Sequence, residues 1–331
     1  MADLTTSYLG LELRSPIIAS CSPLTGREDS LLQLAENGAG AVVLPSLFQE
    51  EAEAEELAAS DLMDIGDDFA EFASAPLPEI DFTDVGPARH VEWLRRAKEL
   101  VQIPVIASVN GSKVGDWAKY ARLMAEAGAD AIELNLYSVN ADPGESSAEV
   151  EARYLEIIES VRGRIEVPLA VKLSQHFTGL SAFARRADEA GADGLVLFNR
   201  FYGAEIKLDS LALESRLALS SPEELRFVLR WIGILRAQRP GLSLAATSGV
   251  HSGLDALKAL LVGANVACTA SALLHNGPGH LKVMLHELDA WLDEHDYESV
   301  KQLQGSMSAA NVPDPGQFER AQYMKVITSS L

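Results

Sequence analysis

The chain has 331 residues, of which 47% are hydrophobic, and a formal net charge of −21. This length suits a single α/β barrel with insertions, so we expect one domain over residues 1–331. The negative charge repels polyanions and argues against nucleic-acid binding. No apolar run predicts a membrane span, and the N-terminus lacks the pattern of a secretion signal. Two cysteines indicate neither a disulfide framework nor a Cys-rich metal site, so we expect a cytoplasmic protein without a metal.

A repeated join between helix and strand organises the chain. A helix-like stretch ends in Gly-Ala and runs directly into a short β-branched segment, in copies that begin at Gly38, Gly128, Gly191 and Gly263. Glycine ends a helix readily, and the apolar run that follows is typical of a strand buried on both faces. Four further apolar runs are Pro16–Ser20, Ile103–Val109, Val167–Leu173 and Leu242–Thr247. Eight such strands alternating with amphipathic helices predict a (β/α)8 TIM barrel with a parallel sheet.

Two segments depart from the regular alternation. Residues 49–86 follow the second strand, and residues 200–221 follow the sixth. We expect both insertions to be loops at the C-terminal mouth of the barrel, where barrel enzymes build their active sites. The stretch 49–70 has many carboxylates and no Lys or Arg, which indicates a solvated acidic insertion. The tail at 285–331 is expected to be helical at first and irregular afterwards.

Two turns of small residues follow the seventh and eighth strands, at residues 246–253 and 269–278. Such turns let backbone amides approach an anion, and the N-terminus of a helix attracts negative charge. Taken singly, each turn fits ordinary turn and helix-capping residues. As a pair at the last two strands they predict a phosphate site. Its residues would be Thr247, Ser248, Gly249, Ala270 and Ser271.

The ends of the fourth and fifth strands carry a resemblance to a known family. They read Glu133-Leu-Asn-Leu-Tyr-Ser-Val-Asn140 and Pro168-Leu-Ala-Val-Lys-Leu-Ser174. These segments resemble the N-L-S-C-P-N and P-L-x-V-K-L motifs of dihydroorotate dehydrogenases, which are FMN-binding barrel enzymes of pyrimidine synthesis. The likeness continues through Ser-Gly-Val-His-Ser-Gly at 248–253, Val-Gly-Ala-Asn-Val at 262–266 and the stretch 297–305. It covers most of the chain.

The resemblance implies an FMN-dependent oxidoreductase. Such an enzyme removes a proton from one carbon of its substrate while a hydride passes from the neighbouring carbon to flavin N5. Lys172 would lie near the N1 and O2 edge of the flavin, where its cation stabilises the reduced ring. A buried ammonium needs an anionic partner, and reduced flavin would supply one. The cofactor contacts would be Ala19, Ser20, Asn110, Asn135, Lys172 and Phe198, together with the phosphate turns.

The same resemblance implies a substrate site and a base. Substrate would be bound by Ser46, Asn135, Asn140 and Asn199, since an amide side chain both donates and accepts hydrogen bonds. Ser138 stands where the family keeps its catalytic base, which is Cys or Ser. A serine hydroxyl needs a neighbour that takes its proton in turn. The alternative is a loop serine without a chemical role.

Several positions depart from the family pattern. The lysine expected at the end of strand two is absent from Leu44-Pro45-Ser46. The N-S-x-G-x-x-N substrate loop should fall near residues 80–89, a stretch without asparagine. Val139 replaces the proline after the base, and Ser248 replaces the first glycine of the phosphate turn. These changes predict that flavin binding is kept and that the substrate is dihydroorotate or a related small cyclic amide.

Two other functions are compatible with the same residues. Lys172 at a barrel strand end beside a phosphate site would also serve a Schiff-base aldolase. A non-catalytic flavoprotein that docks a redox partner through its acidic insertion would tolerate the loss of substrate residues. The resemblance implies a homodimer, whereas the sequence does not indicate the electron acceptor.

Overall fold

The computed structural model describes residues 2–48, 87–111, 117–136, 138–200, 203–215, 218–320 and 328. The acidic insertion predicted at 49–86 lies outside these ranges. Within them, no helix combines the length and the apolar composition that a membrane crossing requires.

Eight strand positions form a closed parallel barrel, which confirms the predicted fold class. The strands along the chain are β1 (Thr6–Tyr8), β2 (Leu11–Leu13), β3 (Ile17–Ala19), β4 (Val42–Val43), β5 (Leu47–Phe48), β6 (Val105–Gly111), β7 (Ala131–Leu136), β8 (Leu169–Leu173), β9 (Gly194–Leu197), β10 (Ala204–Lys207), β11 (Ala212–Ser215), β12 (Ser243–Ala246) and β13 (Val266–Thr269). The barrel order is β3-β13-β12-β9-β8-β7-β6, and β4 closes it by pairing with both β3 and β6. Strand β5 continues the position of β4 along β6.

The helices follow the barrel strands, as the alternation predicts. Their bounds are α1 (Glu28–Glu36), α2 (Pro87–Leu100), α3 (Trp117–Glu126), α4 (Ser147–Arg162), α5 (Leu180–Glu189), α6 (Leu225–Gln238), α7 (Gly253–Val262), α8 (Ser271–Asn276), α9 (His280–Glu294), α10 (Val300–Leu303) and α11 (Gly316–Glu319). The predicted Gly-Ala joins are real helix ends, because Gly38, Gly128, Gly191 and Gly263 all have positive φ. Helix α9 begins at His280, five residues before the predicted tail.

The barrel has two buried layers with different side chains. The outer layer between strands and helices holds the aromatic residues Trp117 and Phe183, whereas the interior combines β-branched residues with small ones such as Ala131, Ala170 and Ala245. Small residues leave room in the interior, and the hairpin of β1 and β2 fills it by inserting Tyr8 and Leu13. The sequence pattern did not predict this hairpin, because its strands are too short to show a period.

The segment after the sixth barrel strand differs from the loop predicted at 200–221. It contains the antiparallel hairpin of β10 and β11, which is exposed along its described length. Leu208 and Leu211 near its tip are 80% and 84% exposed. Ladder hydrogen bonds account for this hairpin, since its side chains bury little surface.

Candidate functional site

Three polar side chains occupy one row across neighbouring barrel strands. Asn110 on β6 is the register partner of Asn135 on β7, and Asn135 is the partner of Lys172 on β8. In a parallel sheet such partners lie at the same height, so the row crosses the barrel near the carboxyl ends of its strands. The two-residue period of β7 puts Glu133 on the same face, one layer deeper.

This row opens into a cavity of about 410 Å³ at the C-terminal mouth of the barrel. The cavity brings together most of the residues predicted from the sequence. Those that line it are Ser20, Ser46, Asn110, Asn135, Lys172, Asn199, Thr247, Ser248, Gly249, Ala270 and Ser271. The barrel therefore collects, in one place, side chains from both ends of the chain.

Lys172 is held at the floor of the cavity by a buried ion pair. Its Nζ lies 3.1 Å from Glu133 Oε1, and the two residues are 7% and 2% exposed. Burial is the largest single influence and lowers the pKa of Lys172, but the charge and hydrogen bond of Glu133, together with Cys21 and Cys268, outweigh it, so the pKa is raised. Lys172 therefore stays a cation without any ligand. Glu133 thus supplies the anionic partner that was expected from a reduced flavin.

Asn135 is fixed by hydroxyl groups of the neighbouring strands. Its Nδ2 donates to Ser108 Oγ at 2.8 Å and lies 3.4 Å from Ser46 Oγ. The two serine hydroxyls are 2.7 Å apart, and Cys21 Sγ lies 3.6 Å from that of Ser46. With its nitrogen occupied, Asn135 presents its amide oxygen as the group left for a ligand donor.

The turns after β12 and β13 offer backbone donors to the cavity. Ser248 and Gly249 have φ of 68° and 88°, so both residues adopt left-handed conformations. At Gly249 a Cβ would lie 2.5 Å from Leu225 N, which makes glycine necessary there. The amides of Ser248, Gly249, Ala270 and Ser271 donate to no acceptor among the residues described. Unpaired amides that line one cavity suit an anion.

Carboxylate side chains already accept from amides at the N-terminus of α7. Asp255 Oδ2 accepts from the amides of His251 and Ser252 at 3.2 and 3.1 Å. Glu287 Oε2 accepts from the amide of Gly253 at 2.7 Å. These carboxylates occupy the positive end of the helix, so the amides after β12 that are left to receive an anion lie before His251.

Four predicted site residues lie away from the cavity. Ala19 packs in the outer core layer, and Phe198 is buried against Phe227 with ring centroids 5.3 Å apart. Ser138 and Asn140 lie in the loop after β7 and do not line the cavity. The predicted base and cavity are therefore separate in this structure.

A local hydrogen-bond network accounts for the position of Ser138. Its Oγ donates to Asn140 Oδ1 at 2.7 Å and lies 2.8 Å from Tyr154 Oη. Because the single hydroxyl hydrogen of Ser138 goes to Asn140, the Tyr154 hydroxyl must donate to Ser138. Arg153 Nη2 also contacts Asn140 Oδ1 at 3.3 Å. These contacts hold the Ser138 hydroxyl and the Asn140 amide oxygen within the loop and α4.

Sequence reasoning missed several residues of the site. Glu133 had a recognisable signal, because a carboxylate two residues before Asn135 in an apolar strand must share its face. Arg200 follows the predicted Asn199 and lines the cavity, paired with Glu224 at 2.8 Å. Cys21 and Cys268 also line the cavity, and burial raises the pKa of Cys268 to about 12. Ser220 had no signal in the sequence.

The cavity fits FMN on three counts. Its volume falls in the range of about 300–1,000 Å³ that is usual for small-molecule sites. Lys172 places a cation at the deep end of the cavity, where an electron-accepting ring needs one. The unpaired amides at the opposite turns match a phosphate.

Comparison with known proteins identifies similar sequences. The family model described as dihydroorotate dehydrogenase matches residues 3–292. Dihydroorotate dehydrogenase B (NAD(+)), catalytic subunit, from Thermoplasma acidophilum is 26% identical over 313 residues, which cover 92% of this chain and 99% of the relative. The protein of the same name from Methanothermobacter thermautotrophicus is 26% identical over 310 residues, 91% of this chain and 97% of the relative. Dihydroorotate dehydrogenase A (fumarate) from Limosilactobacillus reuteri is 28% identical over 290 residues, 82% and 88% of the two chains.

Proposed function

This chain belongs to the dihydroorotate dehydrogenase family, and from that membership we propose that it oxidises a CH–CH bond of dihydroorotate or a related small cyclic amide. Enzymes of this family are FMN-dependent oxidoreductases. The observation that carries the proposal is the row of Asn110, Asn135 and Lys172, which faces one cavity ending in unpaired backbone amides.

The residues that would hold FMN lie at two ends of the cavity. Lys172 and Asn135 would contact the ring, and the turns at Ser248 and Ala270 would bind the phosphate. FMN, when bound, supplies an acceptor for the hydride of the substrate. Lys172 contributes a fixed positive charge beside that acceptor, where negative charge accumulates during the reaction.

The ion pair of Lys172 argues against the aldolase. A Schiff base forms only from a neutral amine, and enzymes that use one lower the pKa of the lysine. Here Glu133 lies 3.1 Å from Nζ and the pKa of Lys172 is raised. The lysine is therefore held as a cation, which suits electrostatic stabilisation.

Substrate would be bound on the open side of the cavity. Ser46, Asn135 and Asn199 line this side and offer hydroxyl and amide groups to a ring with alternating C=O and N–H. Asn140 would join them only if the loop after β7 moved toward the cavity. The lysine and the asparagine loop of the family pattern are replaced here, which favours a substrate that differs from dihydroorotate in its substituents.

Ser138 is our candidate for the base that removes the carbon-bound proton. Its support is the family motif together with the hydroxyl of Tyr154, which lies 2.8 Å from Ser138 Oγ. In the observed arrangement Tyr154 donates to Ser138, so Ser138 must exchange hydrogen-bond partners before it can accept a proton. Movement of this loop on substrate binding is part of the proposal.

Anaerobic titration of the purified holoprotein tests the proposed function. We expect a yellow protein whose chromophore runs as FMN after denaturation, and whose absorbance bleaches on addition of dihydroorotate or a related cyclic amide. Flavin-free protein that also fails to take up added FMN would overturn the proposal. Bleaching by dithionite but by no cyclic amide would leave the flavoprotein and remove the substrate class.

The electron acceptor and the assembly state are also proposals. Reoxidation of the reduced protein with fumarate, NAD and a quinone separates the acceptors, two of which appear in the names of the relatives. The homodimer implied by the resemblance is tested by light scattering on the holoprotein.

A further inference from the structure

A second polar cluster lies where the turns after β12 and β13 meet the cavity. It consists of Ser220, His251 and Ser271, of which only Ser271 is a predicted cofactor contact. Ser220 and Ser271 line the cavity and are 9% and 8% exposed. They come from segments 51 residues apart, so the barrel alone brings them together.

The hydrogens in this cluster can be assigned one by one. Ser220 Oγ donates to Ser271 Oγ at 2.9 Å. Since a hydroxyl has one hydrogen, the 3.1 Å contact between Ser220 Oγ and His251 Nε2 requires the imidazole to donate. Hydrogen bonds therefore run from His251 through Ser220 to Ser271, and we call this chain of donors the relay.

Ser271 is left with a free donor. Its Oγ accepts from both the hydroxyl and the amide of Ser220, the latter at 3.0 Å, which occupies both of its lone pairs. Its own hydrogen finds no acceptor in the part of the chain that the structure describes. A buried hydroxyl of this kind, in a residue that lines the cavity, lacks only an acceptor supplied by a ligand.

We propose that His251 is a positioning residue which, through Ser220, aims the Ser271 hydroxyl at a phosphomonoester bound in this end of the cavity. The unpaired amides of Ser248, Gly249 and Ala270 supply the remaining donors. Every one of these groups presents a hydrogen, and unprotonated phosphate oxygens only accept. The inference rests on the proposed function, because the phosphate of FMN is the phosphomonoester concerned.

The relay predicts a difference between two flavins. FMN carries the phosphate and riboflavin lacks it, so loss of the relay weakens FMN binding alone. We expect His251→Leu and Ser220→Ala each to lower the affinity of the apoprotein for FMN about tenfold, the scale of one hydrogen bond to a charged group. Riboflavin affinity stays at the wild-type value. Fluorescence titration measures both.

Three further variants distinguish a positioning role of His251 from a general disturbance of the structure. His251→Gln keeps an N–H donor at a similar reach and should restore FMN affinity. The double variant Ser220→Ala with His251→Leu should bind FMN no more weakly than Ser220→Ala, because His251 acts through Ser220. His275→Leu, at an exposed histidine of α8, is the matched control and should leave both affinities unchanged.

The outcomes are distinct. Unchanged FMN affinity in His251→Leu, or an equal fall for FMN and riboflavin, overturns the relay. If the wild-type apoprotein binds neither flavin, the proposed function fails. The relay is then decided by inorganic phosphate alone: binding measured by ³¹P NMR must be weaker in His251→Leu than in the wild type, and equal binding overturns it.

Discussion

The two sides of the barrel mouth differ in how completely their polar groups are arranged for a ligand. On the side of β12 and β13, Thr247 and Ser271 are each 8% exposed and line the cavity. The amide of Thr247 donates to Leu197 O on β9, and Ser271 Oγ accepts from Ser220. In the loop after β7, Ser138 and Asn140 are bonded to each other and lie outside the cavity. The groups proposed to bind the anion are therefore already in place at the barrel mouth, whereas the proposed base lies in a loop that must first release its own hydrogen bonds.

The largest effect is expected at Ser138, because the contrast depends on Ser138 acting as the base. If Ser138 is the base, Ser138→Ala should slow reduction of the bound flavin by dihydroorotate or the active cyclic amide by about 10²–10⁴-fold, the usual contribution of a general base. Stopped-flow absorbance under anaerobic conditions measures the rate.

Cys21 provides the comparison for this prediction, because its thiol lines the cavity. Cys21→Ala should leave the rate within a few-fold of wild type. A normal rate in Ser138→Ala together with a large loss in Cys21→Ala would move the base from the loop to the cavity wall.

Lys172 is expected to have the next largest effect. Lys172→Met removes the cation at the cavity floor, and flavin reduction should slow by about 10²–10³-fold, as when one group stabilising a developing charge is removed. Glu133 is then left buried without a partner, so the free energy of unfolding should fall by about 3–5 kcal/mol. Urea unfolding and stopped-flow kinetics measure the two effects.

The double variant Lys172→Met with Glu133→Gln separates these effects. It should regain most of the lost stability, because no buried charge is left unpaired, while the flavin is still reduced slowly. Recovery of the rate along with stability would show that Lys172 acts only through folding.

A smaller effect is expected in the pH dependence of stability. In the wild type the pKa of Lys172 is raised above its ordinary value of 10.5, so the ion pair stabilises the fold below that pH and its contribution is lost as pH rises through the folded-state pKa. In Glu133→Gln, burial remains without the carboxylate and lowers the pKa of Lys172, so the lysine's contribution to stability should rise with pH instead.

The measurement is the free energy of urea unfolding at several alkaline pH values, with the variant compared with the wild type. Glu126→Gln is the control, since Glu126 is an exposed carboxylate 3.7 Å from Arg122 and should leave the profile unchanged. Parallel profiles for the wild type and Glu133→Gln would contradict the assigned role of Glu133.

The smallest effect is expected at Ser252, and it tests whether the proposed anion site includes the N-terminus of α7. Ser252 caps α7 by accepting from Asp255 N–H at 3.1 Å, next to the turn that we assign to phosphate. Ser252→Ala should lower the free energy of unfolding by about 1 kcal/mol and leave FMN affinity unchanged. A fall in FMN affinity would extend the anion site into the N-terminus of α7.

Much of the framework could be predicted because its signals are local. The Gly-Ala joins marked helix ends, the apolar runs marked strands, and their number predicted the closed barrel. Lys172 could be predicted to face the cavity because a lysine within the apolar strand segment Ala-Val-Lys-Leu does not lie on the protein surface. The two turns of small residues could be placed at the cavity because they directly follow the last two strands of the barrel.

The tertiary structure alone decided which of these residues meet. The contact of Glu133 with Lys172 joins positions 39 apart, and the relay from His251 through Ser220 to Ser271 depends on a hydroxyl with no sequence signal. Ser138 has the right place in the motif but lies outside the cavity, because its loop bonds to Tyr154 on α4. Local pattern determines secondary structure and the face of each side chain. Distances between strands and loops depend on sheet register and packing, which no single segment encodes.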